Sequence, residues 1–141
     1  RMSDDPNGTN PASVDALIQL MLGGIPTEHF GHPLHCRFRY FDPSRNRPGM
    51  PEDVAALVEE LHDDSATLTL VNTNQVSPRT VIVNGGAYGE HQIIEVSDEC
   101  GTTRVDDACF TVKLDPGCGS RLRVAMKRYV NRPSFAFPWE R

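Results

Sequence analysis

The sequence predicts a mostly β protein, an antiparallel β-sandwich with two short N-terminal helices. Short segments of alternating apolar and polar residues follow one another after residue 65. Turn-forming Gly, Pro, Asn and Asp residues separate these segments, and no strand–helix alternation occurs among them. The 141 residues are a usual length for one domain. We therefore expect a flexible linker over residues 1–12 and a single domain over residues 13–141.

The first and third elements are predicted to be the two helices. Residues 13–22 carry apolar side chains at helical spacing, and Gly23 follows where a left-handed C-cap can end the helix. Residues 51–62 begin with Pro51, which suits the first helical position. The apolar stripe of this second helix comprises Val54, Leu57, Val58 and Leu61.

Six segments are predicted to be strands, because their side chains alternate or because turn residues bound them. The earliest, residues 34–41, lies between the two helices and carries apolar residues on one face and mostly basic residues on the other. Residues 97–107 are predicted to be a polar loop. The remaining strands are residues 66–71, 79–83, 91–96, 109–114 and 121–130.

Composition bounds the possible partners. Fourteen basic residues against 19 acidic ones give a net charge of −5, which lacks the electrostatic footprint of a nucleic-acid-binding domain. No apolar run approaches the roughly 18 residues needed to span a bilayer. We expect neither nucleic acid nor a membrane as partner, and the sequence leaves the compartment open. For the four cysteines, a Cys100–Cys109 disulfide and four reduced thiols are both open.

A histidine-rich segment is the first candidate for chemistry. His29, His32 and His35 recur at intervals of three, and Cys36 follows the last of them. Imidazole and thiolate are the usual ligands of zinc. Gly31 and Pro33 break any helix that would align the three rings, and no second pair of ligands follows elsewhere. We expect no cofactor, with zinc on the three histidines as the alternative.

A glycine-rich segment is the second candidate. Gly85, Gly86 and Gly89 permit close approach of a ligand to the backbone, but they do not form a dinucleotide-binding G-x-G-x-x-G motif. A carboxylate next to an imidazole is also equipment for acid–base chemistry. A simple connection between two strands explains the same residues. The predicted ligand-binding residues are Arg79, Tyr88, Glu90 and His91.

The second half of the chain resembles a known class of module. Strand, turn, strand and glycine-rich loop are followed by Leu114-Asp115-Pro116-Gly117 and a last strand over residues 122–126. This order is similar to the C-terminal β-sandwich accessory modules of bacterial polysaccharide-active enzymes, in which a leucine and a Pro-Gly turn commonly precede the final strand. The resemblance implies packing against a catalytic domain, of the same or another chain, or contact with carbohydrate.

The leading functional hypothesis is a non-catalytic accessory or interaction module of a larger bacterial protein. The first residues, Arg1-Met2-Ser3, the many turns and the lack of a complete catalytic constellation all favour it. One alternative is a small metal-dependent enzyme that uses the segment of His29, His32 and His35. The other is a purely structural domain that stabilises its neighbour.

Overall fold

Nine strands and one α-helix make up most of the regular structure in the part of the chain that the structure describes. The computed structural model describes residues 14–25 and 33–141. Helix α1 is Asp15–Leu22, and a 3-10 turn, Pro138–Glu140, lies near the C-terminus. The strands are β1 (Phe38–Asp42), β2 (Arg47–Pro48), β3 (Val54–Leu61), β4 (Ser65–Asn72), β5 (Arg79–Gly85), β6 (Gln92–Asp98), β7 (Gly101–Asp107), β8 (Cys109–Leu114) and β9 (Gly119–Lys127).

The strands form two antiparallel sheets. One has four strands in the order β2-β1-β5-β8, and the other has five in the order β3-β4-β9-β6-β7. All pairings between these strands are antiparallel. The prediction of a mostly β, antiparallel chain is confirmed.

Both sheets contribute side chains to one hydrophobic core. Apolar residues alternate along the strands, so that each strand turns one face inward. From the four-stranded sheet the buried members include Phe38, Tyr40, Val81, Val83 and Leu114. From the five-stranded sheet they include Val58, Leu68, Leu70, Ile93, Leu122, Val124 and Met126.

Helix α1 packs against β3 and β1. Leu22 is buried in the common core, and Gly23 ends the helix in the left-handed conformation with its N–H on the carbonyl of Gln19 at 2.9 Å. The hydroxyl of the buried Tyr40 donates to the carbonyl of Met21 at 2.6 Å, which satisfies one of the free carbonyls of the last turn. The helix therefore lies along the side of the core where β1 and β3 are neighbours.

The prediction of a second helix over residues 51–62 is wrong. Strand β3 occupies most of that segment. Leu57 and Leu61, assigned to the buried stripe of a helix, are 40% and 51% exposed, whereas Val58 is buried. The apolar residues of this segment also fit an alternating pattern of period two. The segment pairs with β4 from Val54 opposite Asn72 to Leu61 opposite Ala66, which favours the strand. Asp53 has a φ of 64°, which prevents a helix from continuing through it.

The predicted polar loop at residues 97–107 is a β-hairpin for most of its length. Strand β7 pairs with β6 from Gly101 opposite Asp98 to Asp107 opposite Ile93, with a bulge near its end. Its residues are mostly exposed and polar, so hydrophobic periodicity did not reveal it. All six predicted strands are present, with ends that shift by at most four residues.

The residues after β9 cross the outer side of the four-stranded sheet. Phe137 and Trp139 make edge-to-face contacts with Phe41 at 6.1 and 5.9 Å between ring centroids. These contacts explain why Phe41 is only 2% exposed although its neighbours Tyr40 and Asp42 point to the opposite face. Within the described ranges, no helix has the length and apolar character needed to cross a lipid bilayer.

Candidate functional site

The glycine-rich loop that follows β5 is held together by its own polar groups. Glu90 is 7% exposed, and its carboxylate accepts a hydrogen bond from the backbone N–H of Tyr88 at 2.7 Å. Gly86 and Gly89 have φ values of 83° and 72°, which let the chain close tightly around that carboxylate. Asn84, fully buried, donates to the carbonyl of Gly86 at 2.9 Å. The carboxylate of Glu90 therefore stabilises the loop from within.

His91 lies beneath this loop and is 1% exposed. Its Nδ1 accepts the backbone N–H of Tyr129 at 3.1 Å, so the neutral ring carries its proton on Nε2. Tyr129 has a φ of 55°, and its ring packs edge-on against His91 with centroids 4.7 Å apart. The imidazole therefore serves as a buried acceptor that fixes the turn after β9.

One of the three predicted metal-ligating histidines lies in the described structure. The Nε2 of His35 is 2.6 Å from the hydroxyl of Tyr129, and the two rings are nearly parallel. His29 and His32 lie outside the described residues. Over residues 14–25 and 33–141, no group of three His, Cys, Asp or Glu side chains is arranged to hold a metal ion.

Arg79 is separated from the other predicted ligand-binding residues. It begins β5, where it forms an ion pair with Asp53 at 2.8 Å and donates to the carbonyl of Glu52 at 2.9 Å. The loop with Tyr88, Glu90 and His91 follows the opposite end of β5, and the seven residues of that strand span about 20 Å. The structure brings the last three together and places Arg79 elsewhere.

All four cysteines are free thiols in the structure. Cys100 precedes β7 and Cys109 follows it, so the whole strand separates the two residues proposed for a disulfide. Burial raises the pKa of Cys36 to about 12, and the negative charge of Glu90 acts in the same direction. A thiol with that pKa stays protonated at neutral pH, which does not suit a nucleophile.

A cleft that the sequence did not indicate is a further candidate binding site. It has a volume of about 490 Å³ and lies between the edge strands β7 and β8, on the opposite side of the core from α1. Small-molecule sites commonly measure roughly 300–1,000 Å³. Its apolar lining residues are Val96, Val105, Phe110, Val112 and Leu122, and its polar lining includes Asp98, Thr102, Thr103, Thr111, Lys113 and Ser120.

The cleft exists because different elements flank the core on its two sides. On one side α1 packs against β1 and β3, and Ile18, Met21 and Leu22 join the core there. On the other side β7 and β8 are the last strands of their sheets. Half-buried Val105, Phe110 and Val112 pack against the core at this side while also lining the cleft. The "β7–β8 cleft" thus combines apolar walls with a polar rim.

The comparisons with known proteins gave no match. No protein-family model, no curated protein and no solved structure is significantly similar to this chain.

The burial of His91 predicts a pH-dependent stability. Burial lowers its pKa, the carboxylate of Glu90 opposes the shift, and nearby positive groups add to it. Those groups belong to Arg128, Arg37 and His35. In the unfolded chain His91 takes up a proton near its ordinary pKa, whereas in the folded chain it takes up the proton only at a lower pH. The stabilisation is therefore complete above about pH 6.5 and is lost as the pH falls below it.

We expect the urea midpoint to decrease between about pH 7.5 and pH 5.5, and His91→Asn to flatten this decrease. The amide oxygen of asparagine can accept the N–H of Tyr129 without taking up a proton. His62→Asn is the matched control, because it makes the same substitution at an exposed histidine. An equally steep profile in His91→Asn would contradict the assignment.

Proposed function

We propose that this chain is a non-catalytic interaction module of a larger protein, with β-sandwich architecture, whose partner binds in the β7–β8 cleft. The observation that carries the proposal is the cleft itself, with apolar walls, a polar rim and a volume of about 490 Å³. Concave sites that combine apolar side chains with hydrogen-bonding groups are typical of binding sites. Cys36, Glu90 and His91 are each engaged in the fold, which favours binding over catalysis.

Nuclear magnetic resonance with a small-fragment library tests the proposal on the full chain. We expect fragments to shift the amide resonances of Val105, Phe110 and Val112 more than those of the glycine-rich loop. Thr103→Trp should abolish these shifts, because Thr103 is exposed and lines the cleft. The matched control is Arg104→Trp, whose side chain leaves β7 on the opposite face.

Two results would count against the cleft. One is a set of fragment hits that all map outside the β7–β8 cleft. The other is binding that survives Thr103→Trp, provided that the variant keeps the circular dichroism spectrum of the wild type. Either result would return attention to the alternative of a purely structural domain.

Carbohydrate contact is a second candidate, favoured by one exposed aromatic pair. Phe135 is 90% exposed, and its ring packs edge-to-face against Tyr88 at 5.4 Å between centroids. An exposed aromatic face is a surface on which sugar rings can stack. We expect Phe135→Ala to weaken retention of the chain by soluble polysaccharide held in the gel in affinity electrophoresis. Unchanged retention, or no retention of the wild type, would rule out this candidate. It would also rule out the carbohydrate contact implied by the resemblance to accessory modules of bacterial polysaccharide-active enzymes.

A further inference from the structure

We infer that the occupant of the β7–β8 cleft is an extended peptide segment of a partner protein, which adds as a strand along β8. This inference rests on the proposed function and specifies the partner. Three features support it: the hydrogen-bonding groups of the β8 backbone, the alternation of the β8 side chains and the charge at the rim.

The backbone of β8 offers unused hydrogen-bonding groups at its outer edge. The N–H of Gly85 donates to the carbonyl of Ala108 at 2.8 Å, and the β5–β8 register continues without a shift. Bonded and non-bonded pairs alternate in antiparallel sheets, so Phe110 and Val112 bond to β5. Consequently, the N–H and C=O groups of Thr111 and Lys113 point away from β5. Within the described chain, no strand pairs with β8 on that side.

The side chains of β8 determine how a peptide would lie. Phe110 and Val112 line the cleft and pack against the core, whereas the backbone groups beside them are free at Thr111 and Lys113. In an added strand, every second side chain would enter the cleft between Val112 and Val105. We therefore expect a segment of about five residues with apolar side chains at alternate positions.

The rim of the cleft carries one basic side chain, Lys113, and one acidic side chain, Asp98, which accepts the backbone N–H groups of Cys100 and Gly101. Lys113 lies on the edge strand β8 and makes no ion pair with any described residue. A carboxylate on the peptide next to Lys113 would supply the missing partner. A sugar would use this site poorly, because Phe110 is the one aromatic residue in the cleft lining and the free backbone groups need a strand.

Selection from a library of displayed random dodecapeptides against the full chain tests the inference. Selected peptides should alternate apolar residues and carry an acidic residue near one end. Thr111→Pro removes the outward N–H and leaves the bonds from Phe110 and Val112 to β5. We expect it to raise the Kd at least tenfold in fluorescence polarisation, whereas the matched control Thr111→Ala should leave the Kd within about threefold.

N-methylation of the selected peptide tests strand addition along β8 even if Thr111→Pro does not fold. Methyl groups at alternate backbone nitrogens should abolish binding to the wild-type chain, while those at the intervening positions should be tolerated. Uniform sensitivity, or no sensitivity, would overturn strand addition. If fragments bind the cleft but no peptide shows this alternation, the inference fails and the proposed function stands. If neither binds there, both fail.

Discussion

Gly86→Ala should destabilise the protein by about 3 kcal/mol, a sum of backbone strain and overpacking. The φ of Gly86 is 83°, a region that residues with a Cβ rarely adopt. A Cβ at this position would also lie within 2.5 Å of the carboxylate of Glu90. That carboxylate is buried and accepts the N–H of Tyr88, so it cannot move without breaking the bond. Urea unfolding of the variant measures the loss.

Gly49→Ala is the matched control for the strain alone. Gly49 has a φ of 103°, and an added Cβ would meet no atom within 4 Å. We expect this variant to lose about 1 kcal/mol, which is the backbone part of the effect at Gly86. A loss at Gly86 no larger than the loss at Gly49 would contradict the packing argument.

A double-mutant cycle separates the two contributions within the loop. In the Glu90→Ala background, Gly86→Ala should cost only about 1 kcal/mol, because the carboxylate that the new methyl group meets is absent. The coupling of about 2 kcal/mol would show that Glu90 fills space and bonds inside the loop. Additive losses would instead leave the Glu90 side chain free to turn outward toward a ligand.

The strands of this fold are readable from the sequence where one face is buried. Every second side chain of the segments at residues 66–71, 79–83 and 109–114 points toward the core, and each segment is a strand in the structure. Residues 51–62 satisfy helical and strand periodicity together, so burial against β4 had to decide between them. The acidic end of that segment opposes a helix dipole and was a signal for the strand.

The candidate site was less predictable than the fold for a physical reason. A cleft between two edge strands depends on which strands end their sheets, and that order follows from pairing between distant segments. Strand β7 carries a single cleft-lining apolar residue, Val105, which gives no periodic signal. Conversely, Glu90 and His91 looked like site residues because their types suit chemistry. Only the contacts at Tyr88 and Tyr129 show that both are used within the fold.

Arg37→Met should also lower the free energy of unfolding by about 3 kcal/mol, because charged hydrogen bonds contribute roughly 1.5–3 kcal/mol each. Arg37 is 8% exposed, and its guanidinium donates to the carbonyls of His62 and Ser65 at 2.7 and 3.2 Å. These carbonyls flank the turn between β3 and β4, whereas Arg37 directly precedes β1. Methionine would fill the space and leave the carbonyls without this donor.

Arg123→Met is the control for loss of an arginine without loss of hydrogen bonds. Arg123 is exposed on β9 and makes no hydrogen bond or ion pair with any described residue, so its loss should stay within about 0.5 kcal/mol. Arg37→Lys keeps the charge but cannot present the guanidinium fork, and it should recover less than half of the lost stability. If Arg37→Met proved as stable as Arg123→Met, apolar packing alone would join the two sheets at this end. A loss near 3 kcal/mol would instead show that a buried cation links β1 of one sheet to the β3–β4 turn of the other.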